Sequence, residues 1–199
     1  MNKTQTFIFY GIVGSGKGTQ VELLNKYLKE NNISDDILFL STGEQFRKIL
    51  GEDNFTAKTI KNFVNTGLLV PDFFTTSLVV SNISKNIKEN SVIITDGYPR
   101  SVEQSKSFEE LMNFYGRNDV KIIYIELNKE EAIKRMKLRG RGDDTDEGIA
   151  NRFDEYVKNV IPSMNYFKDK SNYTIIEING EQSIEDVHKE IITKIKPFL

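Results

Sequence analysis

Three groups of residues in this chain could do chemistry on phosphate. The first lies at residues 11–19, where Gly11, Gly14, Gly16 and Gly18 surround Ser15, Lys17 and Thr19 directly after an apolar run. Glycines let successive backbone N–H groups converge on an anion, and a helix starting behind them adds the positive end of its dipole. Lys17 would reach the β- and γ-phosphates of a nucleotide as a mobile point charge. The strict phosphate-loop pattern wants a hydroxyl directly after the lysine. Here Gly18 intervenes before Thr19, which argues against direct magnesium ligation by that hydroxyl.

The second group is the arginines. The chain carries 20 lysines and only 7 arginines, and six of the seven fall in suggestive segments: Arg47, Arg100, Arg135, Arg139, Arg141 and Arg152. A guanidinium grips phosphate oxygens two at a time and stacks on bases, which an ammonium cannot do. Arg135 and Arg139, four residues apart, share one helical face. Any one of these alone reads as a solvated surface charge; six gathered near strand ends read as an anion site. Arg117, in an expected loop, reads as a solvated surface charge. The third group is acidic. Asp96 ends an apolar strand, where it could orient the waters of a magnesium ion, which usually keeps several. Asp143 and Asp144 either add carboxylates to the site or cap the helix expected over residues 145–156.

Composition removes other chemistries. With no cysteine there is no disulfide framework, Cys-zinc site, iron–sulfur cluster or thiol nucleophile. The lone histidine, His188, sits beside an apolar helical stripe and reads as a packing or surface residue, so a His-ligated metal site is not expected. A net charge of −2 and a pI of about 5.6 give no basic footprint for nucleic acid. No apolar run approaches the roughly 18 residues of a membrane span. The run at residues 7–13 is broken by Gly11 and leads into the glycine loop, so it reads as a buried strand rather than a signal sequence, and the expected compartment is the cytoplasm.

Elements that could position these groups are visible in the hydropathy pattern. Five short apolar runs, at residues 6–10, 37–40, 92–95, 121–126 and 173–178, are continuous rather than alternating, as in parallel strands buried on both faces. Helical spacing fills the stretches between them: Val21, Leu24 and Leu28 in one, Ile184, Val187, Ile191 and Ile195 in another. Ser183 with Asp186 looks like a capping box opening the latter. Strands alternating with helices predict an α/β fold of right-handed βαβ units with ligands at the carboxyl ends of the strands. The 199 residues, 38% hydrophobic and 28% charged, suit a single domain. More than fifty residues separate the second and third strands, room for several helices lying off the sheet.

Taken together, the motifs resemble the nucleoside monophosphate kinases, and the adenylate kinase family in particular. Residues 11–20 read GIVGSGKGTQ, residues 41–47 STGEQFR, residues 96–100 DGYPR and residues 138–145 LRGRGDDT, with Arg152 in the next helix. They stand in the family's order and at its spacings from end to end of the chain. The resemblance implies a P-loop three-layer fold, with a five-stranded parallel sheet flanked by helices. It divides the chain into a core of residues 1–42, 72–138 and 146–199, a helical monophosphate-binding insert at about 43–71, and a lid at about 139–145. That lid is very short even among short-lid members and lacks the long form's metal-binding loop, so no structural zinc is expected.

By position, Gly14, Ser15, Gly16, Lys17, Gly18 and Thr19 would hold the phosphates of ATP, with Arg135 against its adenine and Arg139 on its phosphates. Arg47 and Arg100 would clamp the acceptor monophosphate, while Arg141 and Arg152 approach the transferring group from the lid side. Thr42, Gly97 and Gln104 would face the acceptor base, and Leu69 and Val70 would close over it. The implied reaction is MgATP + AMP ⇌ 2 ADP, with Lys17, Arg100, Arg141 and Arg152 catalytic, magnesium arriving with ATP, and the chain acting as a monomer. A UMP/CMP kinase on the same fold is the nearest alternative; Gln104 favours AMP, since pyrimidine kinases tend to carry asparagine there. A GTPase-type switch would normally show an Asn-Lys-x-Asp motif, and residues 128–131 read NKEE. A non-catalytic P-loop protein would leave the arginines without a purpose.

Overall fold

The computed structural model describes residues 4–140 and 144–199. Its five parallel strands are β1 (Thr6–Gly11), β2 (Ile37–Ser41), β3 (Val92–Asp96), β4 (Val120–Glu126) and β5 (Tyr173–Asn179), in the order β2-β3-β1-β4-β5. Each coincides with one of the expected runs to within one residue at either end. Parallel pairing sets Phe9 opposite Asp96 and Gly11 opposite Ile125, bringing the end of β1 level with those of β3 and β4. Between and after the strands lie α1 (Lys17–Glu30), α2 (Thr42–Leu50), α3 (Phe55–Thr66), α4 (Asp72–Asn86), α5 (Val102–Phe114), α6 (Lys129–Arg139), α7 (Asp146–Glu155), α8 (Ile161–Asn165) and α9 (Ile184–Ile195). A π-helical turn at Tyr156–Val160 joins α7 to α8.

Continuous apolarity in the strands has the expected cause: helices cover both faces of the sheet. Phe7 and Phe9 point to the side of α1 and α9, packing with Val21, Leu24, Leu28, Val187 and Ile191. Ile8 and Tyr10 point to the other side, against Val79, Phe108, Met112 and Phe167 from α4, α5 and the segment after α8. A third cluster, around Ile12, Met136, Ile149 and Phe153, seats α6 and α7 beside the glycine loop. Deleting one such fully buried side chain to alanine would cost about 2–5 kcal/mol.

Two expectations are corrected. Arg117 is not a solvated charge: it is buried, and its guanidinium donates to the carbonyls of Ser91 at 2.7 Å and of Lys88 and Glu89 at 3.4 Å. The short bond goes to the carbonyl of buried Ser91 at the turn into β3, where a guanidinium is a partner for a group cut off from water. Ile184 does not join the apolar stripe of α9. It is exposed at the first turn, and the buried stripe begins at Val187. Ser183 does cap that helix, accepting from the Asp186 N–H at 3.1 Å. His188 is half-buried with its ring edge-on to Tyr27, a packing position.

The long segment between β2 and β3 is helical, as its length suggested. α2 follows β2 without a break, capped by Ser41, and α3 ends on Gly67. Gly67 has φ +78°, and a Cβ there would lie 2.4 Å from the Gly148 carbonyl of α7. Asn151 of α7 also donates to the Thr66 carbonyl at 2.8 Å. The segment is thus held against α7 over the carboxyl ends of the strands.

Candidate active site

The turn between β1 and α1 is shaped by glycine. Gly11, Gly14 and Gly16 have φ values of +148°, +88° and +88°. A Cβ on Gly11 would stand 2.5 Å from the Ile125 carbonyl, and one on Gly14 2.7 Å from that of Ala132. No other residue fits a loop threaded this closely past β4 and α6. Helices α2, α3, α5, α6, α7 and α9 each begin under a Ser, Thr or Asn side chain, whereas α1 begins on Gly16 with no side-chain cap. The amino end of α1 therefore presents N–H groups that its own sequence does not satisfy, a geometry suited to anions.

Lys17 sits at the centre of the turn. Its Nζ donates to the carbonyls of Gly11 at 2.7 Å and Ile12 at 2.9 Å, with Ser15 Oγ at 3.4 Å. Burial of the ammonium lowers its pKa to about 8; Asp96 opposes the shift, while Arg100 and Arg139 add to it. Ser15 itself is buried beneath the loop, its N–H bonded to the Ile12 carbonyl. Gly14, Gly16, Gly18 and Thr19 line the cleft above it.

That cleft has a volume of about 680 Å³, well within the range of small-molecule sites. Five of the six singled-out arginines open into it: Arg47 from α2, Arg100 from the loop after β3, Arg135 and Arg139 from α6, and Arg152 from α7. Arg141, like Asp143, lies outside the described residues. Arg135 Nε is held by Glu131 at 2.9 Å. Asp144, with only 2% of its side chain exposed, accepts from Arg139 at 2.7 Å and Arg152 at 2.8 Å. The cap of α7 is Thr145, which accepts from the Gly148 N–H at 3.0 Å. Asp144 is therefore not the cap of α7; it pairs with two of the arginines that open into the cleft.

On the other side of the cleft stand Thr42, Leu69, Val70, Gly97, Arg100 and Gln104. Thr42 Oγ1 donates to the Gly97 carbonyl at 2.8 Å, tying the start of α2 to the end of β3. Gln104 is buried, yet its side chain borders the cleft. Asp96 ends β3 half-buried at the cleft, with Oδ2 3.9 Å from where a Cβ on Gly18 would be. Among the described residues no group of three His, Cys, Asp or Glu side chains could enclose a metal ion.

A family model described as adenylate kinase matches residues 9–172, the span from the glycine loop through α8. The chain belongs to the adenylate kinase family. It is 36% identical over 189 residues to an adenylate kinase of Prochlorococcus marinus, an alignment covering 94% of this chain and 97% of the relative. It is 33% identical to one from Buchnera aphidicola, with 94% and 95% covered, and 32% identical to adenylate kinase 1 of Nostoc, with 92% and 95% covered. The Buchnera alignment runs over 219 positions, more than the 199 residues present here, so that adenylate kinase carries residues this chain lacks.

Membership of the adenylate kinase family settles the alternative raised by residues 128–131. Asn128 is the cap of α6, accepting from the Glu131 N–H at 2.8 Å, and is a helix start rather than a guanine contact. Sequence reasoning missed an apolar wall of the cleft, Phe39, Phe46, Leu50 and Val64. The signal was the amphipathic pattern of α2, whose apolar side had no assigned partner. Glu155 and Tyr156 were also missed; they reach the cleft at the π-helical turn, a feature common at functional sites.

Proposed function

We propose that this enzyme catalyses MgATP + AMP ⇌ 2 ADP by in-line transfer of the γ-phosphoryl group, in the cleft between the glycine loop and the acceptor side. The carrying observation is the gathering of Lys17 and five arginines from five separate places in the chain around one space. Only a ligand set with several negative charges would repay so much cationic crowding.

The nucleophile is an oxygen of the AMP phosphate, with a second pKa of about 6, largely ionised at neutral pH. No general base is required. Catalysis rests on holding two polyanions in line and neutralising charge as it moves. Gly14, Ser15, Gly16, Gly18 and Thr19 and the amino end of α1 cradle the ATP phosphates, and Lys17 exchanges a loop carbonyl for a phosphate oxygen. Arg135 lies against the ATP adenine. Arg139 and Arg152, set apart by Asp144, face the phosphates from the α6–α7 side, with Arg141 between them in sequence. Arg47 and Arg100 hold the AMP phosphate; Thr42, Gly97, Leu69, Val70 and Gln104 surround its base.

Magnesium fits this donor set as an ion carried chiefly by the nucleotide, and Asp96, at the cleft end of β3, is the carboxylate that would accept hydrogen bonds from its waters. When bound, it neutralises charge on the β- and γ-oxygens. We read α2 and α3 as the monophosphate-binding insert, residues 43–71, and residues 139–145 as the lid. Because one chain supplies every site residue named, a monomer is the simplest working unit; the cytoplasm is the compartment we assign from the substrates, ATP and AMP. Initial rates with ATP and each of AMP, UMP, CMP, GMP and dTMP test the reading. AMP should lead by kcat/KM; a lead for UMP or CMP would overturn the acceptor and leave the phosphate chemistry in place.

A further inference from the structure

Gln104 does not stand alone. Its Nε2 donates to Asp72 Oδ1 at 2.8 Å, and its Oε1 accepts from the Arg100 N–H at 2.8 Å. The other oxygen of Asp72 accepts from Ser101 Oγ at 2.9 Å, and that hydroxyl accepts in turn from the Gln104 N–H at 3.1 Å. Asp72 opens α4, two residues after Val70, while Ser101 and Gln104 open α5. The carboxylate therefore links the two helix starts that flank the acceptor side.

A glutamine amide has two orientations of nearly the same shape, differing in which end donates and which accepts. A carboxylate only accepts and a backbone N–H only donates. Asp72 and Arg100 together admit one orientation, since the other would set oxygen against oxygen and N–H against N–H. One N–H and one lone pair of Gln104 are left over for a ligand, in a fixed order. Adenine offers an amino donor beside a ring-nitrogen acceptor; uracil offers a carbonyl acceptor beside an N–H donor, the reverse order. A glutamine free to turn over would satisfy either base, whereas a locked one leaves the wrong base mispaired.

We propose that Asp72 is a positioning residue that locks the Gln104 amide in one orientation and so sets the acceptor-base preference of the enzyme. The proposal rests on the reading of Gln104 as the acceptor-base contact. Asp72 touches neither nucleotide in this scheme and acts only through the amide.

The test is Asp72→Asn, nearly the same shape but able to donate as well as accept, measured alone and combined with Gln104→Ala. Kinetics with AMP and UMP should show the AMP:UMP ratio of kcat/KM falling about tenfold, the typical size of one buried mispaired hydrogen bond. The fall should come through KM for both acceptors, with KM for ATP unchanged. In the Gln104→Ala background, Asp72→Asn should leave the ratio where it is. If Gln104→Ala lowers the ratio and Asp72→Asn does not, the positioning role is overturned and the acceptor reading stands. An equal effect of Asp72→Asn with and without Gln104 overturns it too, because the carboxylate would then act by another route. If Gln104→Ala leaves the ratio intact, the acceptor-base reading itself fails. Should Asp72→Asn not fold, the wild-type protein still decides. The Gln104 side-chain amide protons, one of them bonded to Asp72, should exchange with solvent far more slowly than those of free glutamine in nitrogen-edited NMR spectra, and exchange at the free rate would overturn the lock.

Discussion

Arg100 occupies space that exists only because residue 97 is glycine. A Cβ on Gly97 would lie 2.6 Å from Arg100 Nη2 and 2.8 Å from Thr42 Oγ1, and the residue has φ +81°. Gly97→Ala combines left-handed strain of about 1–3 kcal/mol with displacement of the guanidinium. We expect kcat/KM for AMP to fall about 10²-fold, as for a misplaced binding group, with KM for ATP little changed. Steady-state kinetics against each substrate checks this; near wild-type AMP kinetics would mean that Arg100 does not work from this position.

Lys17→Met should leave the fold intact while removing most transfer activity. The side chain's cation is held by two loop carbonyls in an enclosed position, so the thermal midpoint should stay within a few degrees of wild type or rise. Loss of one electrostatic group at the transferring phosphoryl typically costs about 10²–10³ in rate. Thermal melting together with kcat measures both halves; a stable variant with nearly full activity would refute the phosphate-loop assignment.

The lowered pKa of Lys17, about 8, makes two opposite pH trends. The charged form binds phosphate, so kcat/KM for ATP should decline as pH rises through about 8, and bound phosphate should shift the decline in kcat to higher pH. Stability moves the other way. Between about 8 and the ordinary lysine value near 10.4 the unfolded chain holds the proton that the folded one has lost, so this residue makes folding more favourable with rising pH. A kcat/KM profile flat to pH 9.5 in wild type would contradict an enclosed, phosphate-binding ammonium.

Asp144→Asn should loosen the α6–α7 side of the cleft. The carboxylate is nearly fully buried, but Arg139 and Arg152 are partly exposed, which limits the cost to about 1–2 kcal/mol. In a chain of this length that corresponds to a fall of about 2–8 °C in Tm. Repulsion between the two guanidinium groups, no longer set apart by a charge, should also raise KM for ATP. Calorimetry and ATP titration test it; unchanged values in both would remove Asp144 from any role in arranging the arginines.

Much of this protein was legible along the chain because its signals are local. The strands could be located because a parallel strand covered on both faces needs an unbroken apolar run, and the runs at β1, β3 and β4 satisfy that need within a few residues. The glycine loop could be read because its glycines, Lys17 and the helix behind it are contiguous, and local backbone geometry alone brings them to one point. The arginines stood out against a lysine-rich background, but only as a set. Tertiary structure decided what depends on partners far apart in sequence. Arg117 resembled the other loop charges until the fold brought the Ser91 carbonyl, 26 residues away, against it. Asp72 carried no motif, and its place beside Gln104, 32 residues away along the chain, follows from α4 and α5 starting next to each other. Asp144 could equally have capped a helix until Arg139 and Arg152 converged on it. In each case the deciding quantity is the cost of burying a polar group, which is absent in the unfolded chain and is fixed only when the surrounding elements close around it.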